Sequence, residues 1–352
     1  MLNSSDGHRP ALEGHRLAIL LHGGLRNRGG KTGISLLRYG DFPIVAVVDQ
    51  DCPGERIEAL TGISREVPIV ASVADALASN PTVLAIGIAP SGGALPVPWL
   101  REGGQGVAAG LSVVNGLHTS MQPLFADLLS EGQWIWDVRR EPEGLGIGSG
   151  KARSLSCRRV LTVGTDMGIG KMSTALELHR ATQARGLRSK FIATGQTGLM
   201  LGHDGVALDA VRIDFAAGAV EAQVMQWGSE TDVLFIEGQG SLIHPGSTAT
   251  LPLMRGSQPT HLVLVHRVGQ AHIHHFPEFE LPSLHDAIYL YETVAAASPS
   301  FSGAKVAAIA LNTWGLDDEA AREAIDQVHE ETGLPCSDVV RFGGELLLDA
   351  IL

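Results

Sequence analysis

RVLTVGTDMGIGKMSTALEL, residues 159–178, is the stretch that decides the fold. An apolar strand runs to Gly164, a glycine-rich turn follows, and a helix begins at Lys171. A loop that holds phosphate needs each part. Glycines such as Gly164, Gly168 and Gly170 let backbone N–H groups wrap an anion without side-chain clash. The helix N-terminus adds free N–H groups and the positive end of its dipole, and the lysine reaches the phosphate oxygens. Thr165, Asp166, Met172 and Ser173 complete the candidate cofactor loop. The spacing is G-x5-G-K. The strict pattern G-x4-G-K-[ST] asks for glycine at 165 and a hydroxyl at 172, where Thr165 and Met172 stand. Ser173 comes one position late, and a helical step of about 100° carries its hydroxyl away from the usual metal-binding place. The plainer alternative is an ordinary glycine-rich turn with a solvated lysine.

Outward from this loop, apolar runs of strand length alternate with helix-length segments. Strands are expected at 160–163, 190–194, 233–237, 261–266 and 306–312, and helices at 171–185, 215–227, 284–297 and 317–332. Upstream, strands are expected at 16–22, 43–49, 67–70, 82–86 and 106–113, and helices at 73–78 and 119–131. Repeated β–α alternation implies parallel sheets with helices on both faces. The expected fold is α/β with two doubly wound parallel-sheet domains, an N-terminal Rossmann-like one and a C-terminal P-loop one. EPEGLGIGSGKARSLSCRR (141–159), rich in Gly, Ser and charge, marks the seam, giving domains 1–150 and 151–352.

The bulk composition narrows the function. With 352 residues, 44% of them hydrophobic, the chain has material for two cores. A formal net charge of -12 argues against a nucleic-acid surface or an anionic membrane patch, which need clustered Lys and Arg. Cys52, Cys157 and Cys336 are odd in number and in no ligand spacing, so a reducing compartment is expected. The polar start MLNSSDGHRPALEGHR has no apolar signal core and no run of 18 apolar residues exists. A cytoplasmic enzyme is expected, with a small-molecule partner. Whether it is a homo-oligomer is open.

GTDMGIGK resembles the phosphate loop of dethiobiotin synthetase and its relatives. That resemblance implies that Asp166 helps hold magnesium, that Glu237 in VLFIEGQGSL is a second metal ligand or holds its water, and that Asn312, ending VAAIALN, recognises a base. A turn or cap role is the alternative for Glu237 and Asn312. ATGQTGLMLGHDGVALDAVRIDFAAGAVE (193–221) and EGQGSLIHPGSTATLPLMRGSQPTHLVLVH (237–266) resemble a bacterial two-domain family, Rossmann-like then P-loop. Its characterised members are D-glutamate N-acetyltransferases. This resemblance implies acetyl transfer from acetyl-CoA to D-glutamate, with the P-loop on the CoA phosphates. An ATP- and Mg2+-dependent ligase or kinase of the dethiobiotin synthetase type is the rival, and a nucleotide-binding regulator without turnover is the third reading.

Within the family segments, Asp209 and Asp214 are candidates to face phosphates or bind a substrate ammonium, and Arg212 to bind a substrate carboxylate. Turn or N-cap roles are the alternative for the two aspartates. His244, seven residues past Glu237, is a candidate general base alongside that glutamate, since imidazole titrates near pH ~6.5. A structural histidine before a proline turn is the alternative. In the first half, HGGLRNRGGKTGISLLRYG (22–40) repeats the G-x5-G-K spacing with Arg26, Arg28, Lys31 and Arg38 nearby. It reads as a second anion site or as an exposed basic loop. The loops at 87–93 and 110–120 also follow strands, where open α/β sheets bind ligands. Asp49 stands where a ribose-binding carboxylate would sit, but no GxGxxG follows the first strand. HRVGQAHIHHF (266–276), with four histidines, is expected to be a solvated loop, since nothing completes a metal spacing.

Overall fold

The computed structural model describes residues 10, 12–90 and 93–352. Ser91 and Gly92 of the 87–93 loop, and most of the polar start, lie outside the described residues. Two compact units divide the chain: Met1–Arg140 with Leu199–Gly202, and Glu141–Gly198 with His203–Leu352.

The first unit holds six parallel strands: β1 (Leu17–Leu20), β2 (Ile44–Val48), β3 (Ile69–Val70), β4 (Val83–Ile86), β5 (Ser112–Asn115) and β6 (Ile135–Asp137). Their spatial order is β3-β2-β1-β4-β5-β6, the Rossmann order, which reverses beside β1. LAIL of β1 and VLAI of β4 are buried at every position, as strands covered on both faces must be. Ala18, Leu20, Val48, Leu84, Ile86 and Val113 form the centre of the core on one face.

The 106–113 strand expectation is corrected. A helix, Val97–Ala108, runs through its first residues, and the strand is Ser112–Asn115. The glycines that discourage a helical reading are what let this one pack closely. A Cβ at Gly106 would lie 3.0 Å from Val73, and one at Gly104 3.3 Å from the Phe125 ring. The helix expected at 119–131 is shorter, Gln122–Phe125 followed by a 3-10 turn at Ala126–Leu128. Its expected first turn is drawn off to the sheet edge, where Asn115 Nδ2 donates to Thr119 O (2.8 Å) and Ser120 Oγ donates to Asp137.

The second unit holds β7 (Arg158–Gly164), β8 (Ser189–Ile192), β9 (Val233–Ile236), β10 (His261–Arg267), a hairpin of β11 (His272–Ile273) and β12 (Phe276–Glu280), then β13 (Lys305–Asn312) and β14 (Cys336–Ser337). The main sheet is parallel, in the order β14-β13-β10-β7-β9-β8. The strand that carries the glycine-rich loop is therefore interior and lies where the winding reverses, which is where open α/β sheets bind ligands. Helix Asp318–Thr332 is capped by the Asp317 side chain on Ala320 N–H and stopped by left-handed Gly333. The 141–159 segment folds onto this unit. Buried Glu221 accepts from Ser149 N–H (2.9 Å), Ser149 Oγ (2.7 Å) and Lys151 N–H (2.6 Å).

Asp137, at the end of β6, gives the fold a pH signature. Burial pushes its carboxyl up, but bonds from Asn115 Nδ2 (2.7 Å), the Met121 (2.8 Å) and Gln122 (3.1 Å) amides and Ser120 Oγ outweigh burial and hold it below the usual range. With the folded value below the unfolded one near ~4, the stabilisation is complete above that unfolded value and is lost as pH falls through the folded one. Asp137→Asn should cost about 1–3 kcal/mol at neutral pH and remove this part of the acid loss. Thermal melts between pH 2 and 7 check it, and parallel pH curves for variant and wild type would contradict it.

Candidate functional site

The loop after β7 is bent from Thr165 to Gly170, and helix Lys171–Ala184 follows. Gly168 (φ +66°) and Gly170 (φ +118°) take left-handed angles that other residues resist. The helix start has no side-chain cap and no acid in its first turn, so its amides and dipole face the loop uncompensated. Lys171 is buried and donates from Nζ to Asp166 O (2.6 Å), which folds its stem back over the loop. The stem also crosses Gly238, where any Cβ would run into Thr162 O and meet Lys171 Cδ at 3.0 Å. Met172 and Ser173 are half-buried on the first helical turn.

Neighbouring strands hold this loop. Thr165 N–H donates to Val265 O (3.1 Å), and Thr165 Oγ1 lies 2.9 Å from His266 Nδ1. Burial holds the His266 ring below the usual histidine range, so it is neutral at pH 7. Asn312 Nδ2 donates to Ile169 O (2.8 Å), while its Oδ1 accepts from Trp314 N–H (3.0 Å). Asn312 is therefore brought to the loop. Buried Tyr291 donates to Gly164 O (2.7 Å) and accepts from Leu242 N–H (3.1 Å), which ties the strand end to the 239–247 segment.

The segment expected to be a solvated loop is instead the β11–β12 hairpin, and it is fastened to the phosphate loop. Buried Asp166 accepts from Met167 N–H (2.6 Å), His274 N–H (2.8 Å) and the Gln270 amide. Phe276 on the same hairpin meets the His244 ring edge-on, with centroids 5.3 Å apart.

Glu237, just past β9, is buried and accepts from Thr194 N–H (2.9 Å) and Gly195 N–H (3.2 Å). Its backbone carbonyl accepts from Thr194 Oγ1 (2.8 Å). Both carboxylates expected to hold magnesium thus serve backbone amides, and helix position 172 is methionine. Among the described residues no cluster of three or more His, Cys, Asp or Glu could hold a metal ion. A magnesium ion on Asp166 would share that carboxylate with the Met167 and His274 amides and the Gln270 side chain.

His244 is buried, and its Nδ1 accepts from Gly246 N–H (3.0 Å). The neutral ring therefore carries its proton on Nε2 and can donate from there. The Nδ1 lone pair of the expected general base is thus engaged by a backbone amide, and Nε2 is the ring nitrogen left to act. Arg212 is corrected as a carboxylate binder. It pairs with Glu141 (Nη2–Oε1 2.6 Å) and lies over Phe215. Asp209 and Asp214 are exposed, in a 3-10 turn and in the first turn of helix Ile213–Trp227. In the first unit, Asp49 accepts from the Gly23 (2.7 Å), Leu25 (3.3 Å) and Asp51 (3.1 Å) amides, which makes it the clasp of the 22–30 loop.

Lys171→Ala should weaken a phosphate-bearing ligand about 10- to 150-fold, the loss of one charge-assisted bond, while leaving the fold intact. Calorimetry with CoA and ADP reads it, and equal affinity in both proteins would remove this loop from the site.

Residues 146–348 match the DUF1611 family, a domain of unknown function described as its C-terminal P-loop domain. Residues 50–141 match its N-terminal Rossmann-like domain. A protein named D-glutamate N-acetyltransferase from Tritonibacter scottomollicae is 35% identical over 79% of this chain and 83% of its own length. One of the same name from a Pseudoalteromonas species is 34% identical over 77% and 82%. The crystal structure of a DUF1611 family protein from Anabaena variabilis superposes with a TM-score of 0.93 at 60% identity, covering 96% of this chain and 99% of that one. The chain belongs to the DUF1611 family, with a Rossmann-like domain followed by a P-loop domain.

Proposed function

We propose that this protein transfers the acetyl group of acetyl-CoA to the amino group of D-glutamate, with the P-loop holding the CoA diphosphate. The observation that carries this reading is a phosphate loop whose two nearby carboxylates, Asp166 and Glu237, are engaged by backbone amides. Such a loop suits a diphosphate that needs no metal, and the names of the relatives supply the acceptor. The Mg-ATP ligase reading would need Asp166 to share its carboxylate between the hairpin and the metal.

The reaction balances without further reagents. The amine nitrogen, after losing a proton, attacks the thioester carbonyl carbon. The N–C bond forms, the C–S bond breaks, and sulfur leaves as thiolate. Nitrogen loses a second proton, so one proton ends on the thiol and one in solvent. His244 stands beside the hairpin with a proton to donate from Nε2, which suits the developing oxyanion or the leaving sulfur. Glu237 directly precedes Gly238, whose backbone the Lys171 stem crosses.

Purified protein should release thiol from acetyl-CoA with D-glutamate, and the release should persist in EDTA. A chromogenic disulfide follows the thiol and mass spectrometry identifies the product. Absence of thiol release across D- and L-amino acids, or strict magnesium dependence, would overturn the assignment. His244→Ala should lower turnover roughly 10²–10³-fold, the scale of one lost oxyanion donor, and alkaline pH should not restore it. Recovery at high pH would return His244 to the role of general base.

A further inference from the structure

Trp314 is an indole that the fold leaves in water. It is 69% exposed, two residues beyond β13. An exposed indole offers a flat π-face to a planar partner, and its placement points to which one. Its backbone N–H donates to Asn312 Oδ1, and the other end of that side-chain amide donates to Ile169 O in the phosphate loop. A Cβ on Gly170, the residue before Lys171, would lie 3.7 Å from Asn312 Nδ2. One side-chain amide thus bonds both the phosphate loop and the stretch of backbone that carries the indole. Arg267, at the end of β10 and in register with Asn312, brings its guanidinium carbon 5.7 Å from the Trp314 ring centre. That contact steadies the ring and adds positive charge beside it.

We propose that Trp314 is the stacking platform for the adenine base of the ligand whose phosphates occupy the loop, with Asn312 fixing the distance between the two. This rests on the phosphate-loop reading above and extends it to a base-binding residue. A flat π-face is recognised by an indole whatever the pattern on the base edge, so the contact serves the ADP portion of CoA and a free nucleotide alike. Asn312 holds the loop with one end and the Trp314 backbone with the other.

The test is calorimetry on the full chain with three probes: ADP, CoA and inorganic pyrophosphate. Trp314→Ala should weaken ADP and CoA about 5- to 150-fold, the range for one lost base stack, and leave pyrophosphate unchanged. Trp314→Phe, which keeps a π-face, should retain most of the affinity. Because the side chain is exposed, neither variant should disturb folding. Lys171→Ala, by contrast, should weaken all three probes. Unchanged binding of ADP and CoA by Trp314→Ala would overturn the platform while leaving the loop standing. Failure of the wild type to bind any probe would overturn both. Base-dependent binding without acetyl transfer to any amino acid would uphold the platform and sink the acyltransferase reading alone. Weaker CoA binding with unaltered ADP binding would also overturn it, since the base is common to both.

Discussion

A parallel strand delivers its chain to the sheet edge with backbone amides that still need acceptors, and in this protein buried carboxylates meet that need. Asp49 holds three amides beyond β1 and β2, Asp137 two beside β6, and Glu237 two beyond β8. Asp166 holds the hairpin, and Asp338 holds Thr313, Val340 and Arg341. Each joins segments far apart in sequence, so the turns at the carboxyl ends of both sheets are set by acid-to-amide bonds. Charge-assisted bonds of this kind are about twice as strong as neutral ones, and a carboxylate can accept several at once. That capacity is why one side chain can shape a whole loop.

The same fact explains what the sequence could and could not reveal. The two parallel sheets were legible because buried strands read as continuous apolar runs, and LAIL, VLAI and VLFI have no other comfortable place. The phosphate loop was legible because strand, glycines, lysine and helix are contiguous. The partner of a carboxylate was not legible, because amides carry no signature in the sequence and lie up to 108 residues away. Asp166 and Glu237 looked like metal ligands for this reason. The helix Val97–Ala108 was hidden by its glycines, of which Gly106 packs close to Val73 and Gly104 close to Phe125, where propensity yields to tertiary contact. The hairpin was hidden because its polar residues, among them His272, Glu278 and Glu280, lack a clean alternation, and its anchor is backbone rather than side chain.

The site itself combines two kinds of order. Its anion-binding part is backbone, local and built from glycine freedom. Its surroundings are side chains from β10, β13 and the helix of Tyr291, which hold that backbone in one shape. Preorganised donors cost no rearrangement when charge arrives, which is the condition under which fixed dipoles contribute most. Lys171 follows the same rule, since its ammonium is already directed onto the loop carbonyl of Asp166.

The ties that hold the loop have a further consequence, for synthesis of the chain. Asp166 waits for His274, Gly164 for Tyr291 (127 residues on), and Ile169 for Asn312 (143 residues on). At a translation rate of about 5–20 residues per second, the last of these reaches the loop roughly 7–30 s after Ile169 is made. During that interval the strand and helix of RVLTVGTDMGIGKMSTALEL can form, but the loop between them lacks its distant supports. The nascent chain therefore acquires its ligand-ready loop late, from the C-terminal side, and a ribosome that stalls before β13 would carry the whole motif without the clamp that shapes it.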